Sequence, residues 1–318
     1  MSVFHVDAHD QWASLNFINA ASLKALIVSV DEHPLWIYAI DGEYITPKLV
    51  ESFFLFNGAR VSAMVKLDKT PGDYTIRAAD QGGDQLISGF AKLTYKNGNN
   101  TSESKPYIDY GGANTTADVV NLGFDYVAPF LRDSPALVAD ATHYLSLGRK
   151  NSSWQWSLDG SQLYPDDRDA YNPLLFNLDQ PDGRDSNLSI TTTNGSWVDI
   201  IMQVDFNSHN PLQPPHVIHK HSNKAYLIGT ALGRFNWTTV AEAQKVIPEQ
   251  FNIAGAPFRD TFVTDPAGES WMVLRYQVVN PGPFLLHCHI ETHLEGGMAV
   301  ALLDGVDKWP VVPEEYQI

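Results

Sequence analysis

The sequence predicts an all-β protein made of two consecutive β-sandwiches or barrels. Three observations carry that expectation. Short stretches that alternate apolar and polar residues, or run apolar, recur at about ten-residue spacing. Clusters of Gly, Pro, Asn and Asp separate them, and no long 3.6-residue pattern competes. The length of 318 residues, set against about 150 per domain, gives the count of two.

In chain order, the first candidate strands are Ser14–Ile18, Leu26–Val30, Leu35–Ile40, Arg60–Leu67, Asp73–Ala78 and Phe90–Tyr95. Turn signals lie between them at Asp41-Gly42, Asn57-Gly58, Pro71-Gly72 and Gly82-Gly83. The second series is Tyr144–Leu147, Trp154–Leu158, Leu188–Thr191, Trp197–Val204, Lys224–Ile228, Trp271–Val279 and Met298–Leu303. Short helices are expected near Val240–Lys245 and near Leu294. The stretch Lys105–Asp125, rich in Gly, Asn, Thr and Asp, reads as the boundary, dividing the chain into 1–125 and 126–318. The acidic, proline-containing stretch Tyr164–Asp185 is too long for a routine connection and reads as a functional or surface loop. Phe17–Ile40 and Thr193–Ile228 both run from Asn to an apolar strand, a His-containing loop and a second apolar strand, which suggests one unit used twice.

Hydrophobic residues make up 44% and charged residues 18%, so disorder is excluded as the main state. No apolar run reaches the roughly 18–20 residues of a membrane span. A net charge of −16 argues against nucleic-acid binding, which needs a basic surface. The opening MSVFHVDAHD shows neither a positive n-region nor an apolar h-region, so no signal peptide is expected in the chain as written. Yet Asn99, Asn100, Asn114, Asn151, Asn187, Asn194 and Asn236 each begin an Asn-x-Ser/Thr sequon. That exceeds the roughly two or three expected by chance and points to a secreted glycoprotein. Asn-rich turns of a β-protein are the alternative. Cys288 is the one cysteine, so an intrachain disulfide is impossible.

Six of the eleven histidines fall into two groups. One is His216-Val-Ile-His219-Lys-His221, and the other is His287-Cys288-His289-Ile-Glu-Thr-His293, followed by Met298. Side chains in a strand alternate faces, so His287 and His289 share one side while Cys288 points to the other. One segment then serves two metal sites. Cys288, His293 and His216, with Met298 as a weak axial ligand, make a mononuclear site of the blue-copper kind. His219, His221, His287 and His289 make half of a second, imidazole-only site. Zinc takes the same ligand types tetrahedrally, but both groups in one chain with the sole cysteine and Met298 favour copper. His5, His9, His33, His143 and His209 lack such spacing and read as structural or surface residues.

The segments HVIHKHSNKAYLIG and NPGPFLLHCHIETHLEGGMAV resemble the C-terminal copper motifs of the multicopper oxidases, a family that includes laccases, ascorbate oxidases and fungal ferroxidases. FINAASLKALIVSVDEHPLWIYAIDGEYITP is similar to the family's middle domain, and IHKHSNK, with Asn223, is most similar to ascomycete fungal members. The resemblance implies cupredoxin-like Greek-key domains, the first without copper ligands and the second binding copper. It assigns His216, Cys288 and His293 to type 1 copper with Met298 axial, and His219, His221, His287 and His289 to the trinuclear cluster. Val217 departs from the family's usual proline. The implied function is laccase-like: phenolic or similar reductants are oxidised, O2 is reduced to water, and the setting is fungal pigment or secondary-metabolite chemistry outside the cell. Electrons would enter at His293 and pass through Cys288.

The family's cluster needs eight histidines, four of them from His-x-His motifs in a first domain. His5-Val-Asp-Ala-His9 has the wrong spacing for one. The expectation is therefore of the family's second and third domains, with an N-terminal cupredoxin domain as a missing partner. The alternative function follows: a chain holding only type 1 copper, transferring electrons or inactive toward O2.

Overall fold

The computed structural model describes residues 1–80, 86–98, 103–123, 127–131, 134–150, 152–158, 163–164, 188–205, 214–266 and 268–316. The sequons at Asn99, Asn100, Asn151 and Asn187, along with His209 and nearly all of the acidic loop Tyr164–Asp185, lie outside the described residues. The chain forms two compact units, Met1–Leu131 and Arg132–Ile318. The regular structure of both is mostly strand, as the sequence predicts.

The first unit contains β1 (Ser2–Val6), β2 (Trp12–Ile18), β3 (Leu26–Val30), β4 (Leu35–Ile40), β5 (Glu43–Val50), β6 (Ser52–Leu55), β7 (Arg60–Lys66), β8 (Asp73–Ala79), β9 (Ser88–Tyr95) and β10 (Asn121–Leu122). They form a six-stranded sheet in the order β1-β9-β8-β3-β6-β10 and a four-stranded sheet in the order β2-β7-β4-β5. Inward residues of both sheets, among them Val28, Val30, Leu35, Ile37, Phe53, Val61, Ala63 and Leu93, bury one shared core. Four of these strands had no sequence signal, the two-residue β10 among them. β1 has no alternation because it is exposed nearly throughout. β5 carries Pro47, which is tolerated because β5 is an edge strand. β6 follows after Glu51 alone, at the point where the chain crosses from one sheet to the other. The turn expected at Asp41-Gly42 joins β4 to β5, with φ of 52° and 80°. Two successive positive φ values make a type I′ hairpin, which Asp-Gly accommodates at low steric cost. His33 is fully buried in this unit, its Nδ1 on the Asp31 carbonyl and its Nε2 on the Tyr95 hydroxyl, a structural role.

The second unit contains β11 (Ala141–Arg149), β12 (Trp156–Ser157), β13 (Ser189–Thr191), β14 (Trp197–Val204), β15 (Val217–Lys220), β16 (Ala225–Leu232), β17 (Phe258–Arg259), β18 (Thr261–Val263), β19 (Ser270–Gln277), β20 (Gly282–Cys288) and β21 (Ala299–Asp304). Its sheets run β12-β11-β14-β19-β16-β17 and β13-β21-β20-β15-β18. The two expected helices are present as α1 (Val240–Val246) and α2 (Glu291–Glu295). Thr239 and Glu242 close a reciprocal capping box on α1, satisfying two backbone N–H groups that a helix start leaves orphaned. Val240 and Ala243 then bury its inner face against Phe235, Ile228 and Trp271.

The suspected internal repeat holds only for its first half. Both β3 and β14 are followed by a crossing to the opposite sheet, into β4 and β15 respectively. The His-rich insert is itself the crossing strand β15, however, and the apolar strand β16 returns to the sheet of β14. KAYLIG is therefore not the counterpart of LWIYAI, because the two lie on opposite sides of their sandwiches. The likeness came from apolar composition, which both sheets of a sandwich share.

The centre of the second unit carries a buried ion pair. Arg275 on β19 donates to Asp199 on β14 through Nε and Nη2, at 2.6 and 2.7 Å, and both side chains are buried. Its Nη1 donates to the carbonyls of Ala136 and Leu137, tying the segment before β11 to the sheet. Removing one partner of such a pair strands the other charge in the core. Asp199→Ala should lower the unfolding free energy of this unit by about 3–5 kcal/mol in chemical denaturation. The double variant Asp199→Ala/Arg275→Met should lose clearly less. A double variant as unstable as the single one would show that the pair itself, not the stranded charge, sets the cost.

Candidate metal centre

β20 lies inside its sheet between β15 and β21. Across β15, Ile218 faces Cys288 and His219 faces His287. Directly paired residues in a sheet point to the same side, and successive pairs to opposite sides. Cys288 therefore faces one side and His287 the other.

On the Cys288 side, the Sγ lies 3.5 Å from Nδ1 of His293, and that nitrogen lies 3.1 Å from Nδ1 of His216. All three ligand atoms are within 4.8 Å of one another, and all three residues are buried. Each is placed by backbone. The His216 N–H donates to Thr264 Oγ1, and the Thr264 N–H donates back to the His216 carbonyl. After Cys288 the chain turns through α2, which carries His293 back toward the strand. The loop is then closed by two bonds. The Met298 N–H reaches the His293 carbonyl, and the Cys288 N–H reaches the Met298 carbonyl, each at 3.0 Å. Met298 is fully buried at the end of this turn. Gly297 before it has φ of +101°, and a Cβ there would sit 2.7 Å from that of Leu163, so the tight return needs glycine.

On the other side, four imidazoles gather. Ring centroids are 5.0 Å apart for His219 and His221, and 5.1 Å for His221 and His287. His289 lies 5.5 Å from His219 and 5.6 Å from His287. His219 donates from Nδ1 to the Asp260 carbonyl at 3.1 Å, and His287 from Nδ1 to the Cys288 carbonyl at 2.9 Å. A carbonyl only accepts, so both rings are protonated at Nδ1, and each keeps its Nε2 lone pair for a ligand. Nε2 of His287 is 3.1 Å from Nε2 of His221. This face is more open than the other, with His221 exposed and His219 and His289 half-buried.

The structure thus brings together His216, Cys288 and His293 on one side, and His219, His221, His287 and His289 on the other. It adds two neighbours that the sequence did not flag. The Trp156 ring lies 4.2 Å from His293 and 5.1 Å from His216, and the Arg149 guanidinium lies 4.8 Å over that indole. A Trp in a short strand has no spacing signature; the adjacent cation in the paired strand was the available clue.

The donor set suits copper: a soft thiolate with two imidazoles at close range, inside an apolar shell. Burial pushes the Cys288 thiol up to about 12, although backbone hydrogen bonds from Ile290 and Val217 pull it down. Without a cation the sulfur therefore stays protonated, and a metal bound there displaces that proton.

Two family models described as multicopper oxidase match the chain, one over residues 3–100 and one over 149–308. The chain is 52% identical over 312 residues to laccase abr2 of Aspergillus fumigatus, covering 98% of this chain and 53% of that protein. It is 50% identical to multicopper oxidase GIP1 of Gibberella zeae, covering 98% of this chain and 46% of that protein. It therefore spans about half the length of the relatives it matches. Its fold is similar to the crystal structure of the laccase from Botrytis aclada, with a TM-score of 0.75 at 19% identity, covering 98% of this chain and 54% of that one.

Burial keeps His216, His287 and His293 neutral. Desolvation, then the charge of Arg149, holds His293 down at about 4, and desolvation first of all holds His287 at about 3. Desolvation also holds His216 well below its ordinary value. The sign follows from linkage. An unfolded histidine takes its proton near pH 6.5, whereas the folded one refuses it until about pH 4 or lower. The metal-free chain should therefore lose stability as pH falls from about 6.5 to 4, by up to about 1.4 kcal/mol per pH unit for each such histidine. Chemical denaturation at stepped pH checks this, and His287→Gln should lower the slope. A flat profile over that window would contradict it.

Proposed function

The chain belongs to the multicopper oxidase family, and from that premise we propose that it serves a laccase-like oxidation in which phenolic or similar reductants give up electrons and O2 is reduced to water. The observation that supports this reading best is the pair of back-to-back donor sets on one strand, with Cys288 between His287 and His289. In this proposal His216, Cys288 and His293 would hold a type 1 copper, with the buried Met298 at the end of the same turn. His219, His221, His287 and His289 hold their share of a trinuclear copper cluster. Copper in the first set supplies a one-electron acceptor.

The residues do the rest. His293 is the ligand nearest the reductant, and its Nδ1 is aimed at Sγ and at His216. Cys288 links the two faces: its sulfur belongs to one, and its carbonyl accepts the Nδ1 proton of His287 on the other. The apolar wall around Sγ excludes water from that side, and Trp156 closes the edge at His293. A weak thioether contact from Met298 would favour the oxidised ion and so a lower potential, which would suit easily oxidised phenols.

The four clustered imidazoles are half of the eight that the family resemblance implies, so O2 reduction and electron acceptance are separate questions for this chain. No described helix is long and apolar enough to cross a membrane. The sequon residues Asn114, Asn194 and Asn236 are exposed, consistent with a glycoprotein that works outside the cell.

Loading the chain with copper should produce an intense blue thiolate-to-copper absorption, lost in Cys288→Ala and kept in His287→Gln. O2 uptake with a phenol, measured on the same sample, then reads the trinuclear function. Absence of the blue band in the unaltered chain would refute the proposal. A blue protein that consumes no O2 would restrict this chain to accepting electrons.

A further inference from the structure

A histidine that binds a metal usually has its ring plane fixed by a hydrogen bond from its second nitrogen. His219 and His287 each have one, on the carbonyls of Asp260 and Cys288. His293 has no such bond among the described residues. Its ring meets polar atoms only through Nδ1, the atom aimed at His216 and at the Cys288 sulfur. The imidazole is nonetheless buried, and it sits on α2, a helix of five residues without a side-chain cap at its start. Rotation about its side-chain bonds would carry Nδ1 away from the sulfur, so something other than a hydrogen bond has to hold the ring.

What holds it is an indole. The Trp156 ring lies 4.2 Å from His293 and tilts only 32° from it, while it meets His216 nearly edge-on at 5.1 Å and 74°. The two imidazoles are themselves 5.0 Å apart, so the three rings close a triangle in which each touches the other two. Trp156 is 4% exposed and has no room to swing. Its backbone is tied to the turn that carries His293, because its N–H donates to the Gly296 carbonyl at 3.0 Å. A Cβ on Gly296 would stand 2.3 Å from the Trp154 carbonyl oxygen and 3.2 Å from Cδ1 of Trp156. The hairpin of β11 and β12 can therefore seat the indole there only against a glycine.

We infer that Trp156 is a positioning residue of this centre: its indole holds the plane of the His293 imidazole, and with it the aim of Nδ1, in the role that a hydrogen bond plays for His219 and His287. The inference rests on the reading of His216, Cys288 and His293 as the set that holds copper, and it adds a residue that is not itself a ligand. A stacked ring restrains the plane without occupying Nε2. Donor atoms fixed in advance bind a metal more tightly and in one geometry, because no ring has to be ordered at the moment of binding.

Three variants test this: Trp156→Phe, which keeps a flat ring, Trp156→Leu, which does not, and Gly296→Ala, which keeps the indole but pushes the hairpin outward. Competition with the chelator bathocuproine disulfonate gives the affinity for cuprous ion. It should fall about tenfold in Trp156→Leu and in Gly296→Ala, and Trp156→Phe should recover most of that loss. The blue band of the copper-loaded chain should broaden in the first two and stay narrow in Trp156→Phe, a signature that lost stability alone does not produce. In the metal-free chain, NMR of the His293 ring should give one sharp set of signals, kept in Trp156→Phe and broadened by exchange in Trp156→Leu. Chemical denaturation shows that each variant is folded before it is compared, and where Trp156→Leu does not fold, Gly296→Ala carries the comparison. An unchanged affinity and band in a folded Trp156→Leu or Gly296→Ala, or a Trp156→Phe as impaired as Trp156→Leu, overturns the inference. If the unaltered chain never turns blue, the reading of the copper site fails by itself, and the metal-free NMR comparison alone decides whether Trp156 positions His293.

Discussion

The two-residue period of a β-strand organises this molecule's chemistry. Along β20 and the residue after it, His287, Cys288 and His289 point alternately to opposite sides. A one-residue slip against β15 would pair Cys288 with His219 and set thiol and imidazoles on the wrong faces. The register is therefore held from both sides of the strand. β15 fixes it through Ile218 opposite Cys288, and β21 through Ala299 opposite His287. The turn through α2 then has one task, the return of His293 to the sulfur side.

A second constraint lies behind the same strands. Lys220 sits between two of the clustered histidines in sequence, yet its side chain is fully buried. Its ammonium is 3.7 Å from Asp304 and 3.8 Å over the Tyr276 ring. Asp304 in turn accepts from Tyr276, Asn223 and Thr192, which gives the carboxylate several partners in the core. Desolvation lowers Lys220 to about 8, against the pull of Asp304. Such a network is costly to assemble and costly to break piecemeal. It joins β15, β19 and β21, so the frame around the donor sets is rigid on the side away from the open imidazole face.

How much of this was legible in the sequence follows from which signals are local. The apolar run of β14, the alternation along β7 and the Asp41-Gly42 turn depend on a few neighbouring residues, and each was readable. The opposed faces of His287 and Cys288 were readable for the same reason. Strands whose partners are remote were not: β1 is exposed and finds its place only by pairing with β9. The crossing of the His-rich insert between sheets was also hidden, because apolar composition does not say which sheet a strand joins. Trp156 and Arg149 matter through a hairpin docking onto Gly296, a tertiary event without sequence periodicity.

One strand separates a sulfur-containing donor set from an imidazole-only face. Copper X-ray absorption on the chain loaded with a single equivalent tests it most directly. One sulfur and two imidazole nitrogens are expected around the ion, unchanged in His287→Gln and without sulfur in Cys288→Ala. A first equivalent surrounded only by imidazoles, or a sulfur signal that disappears with His287, would contradict it.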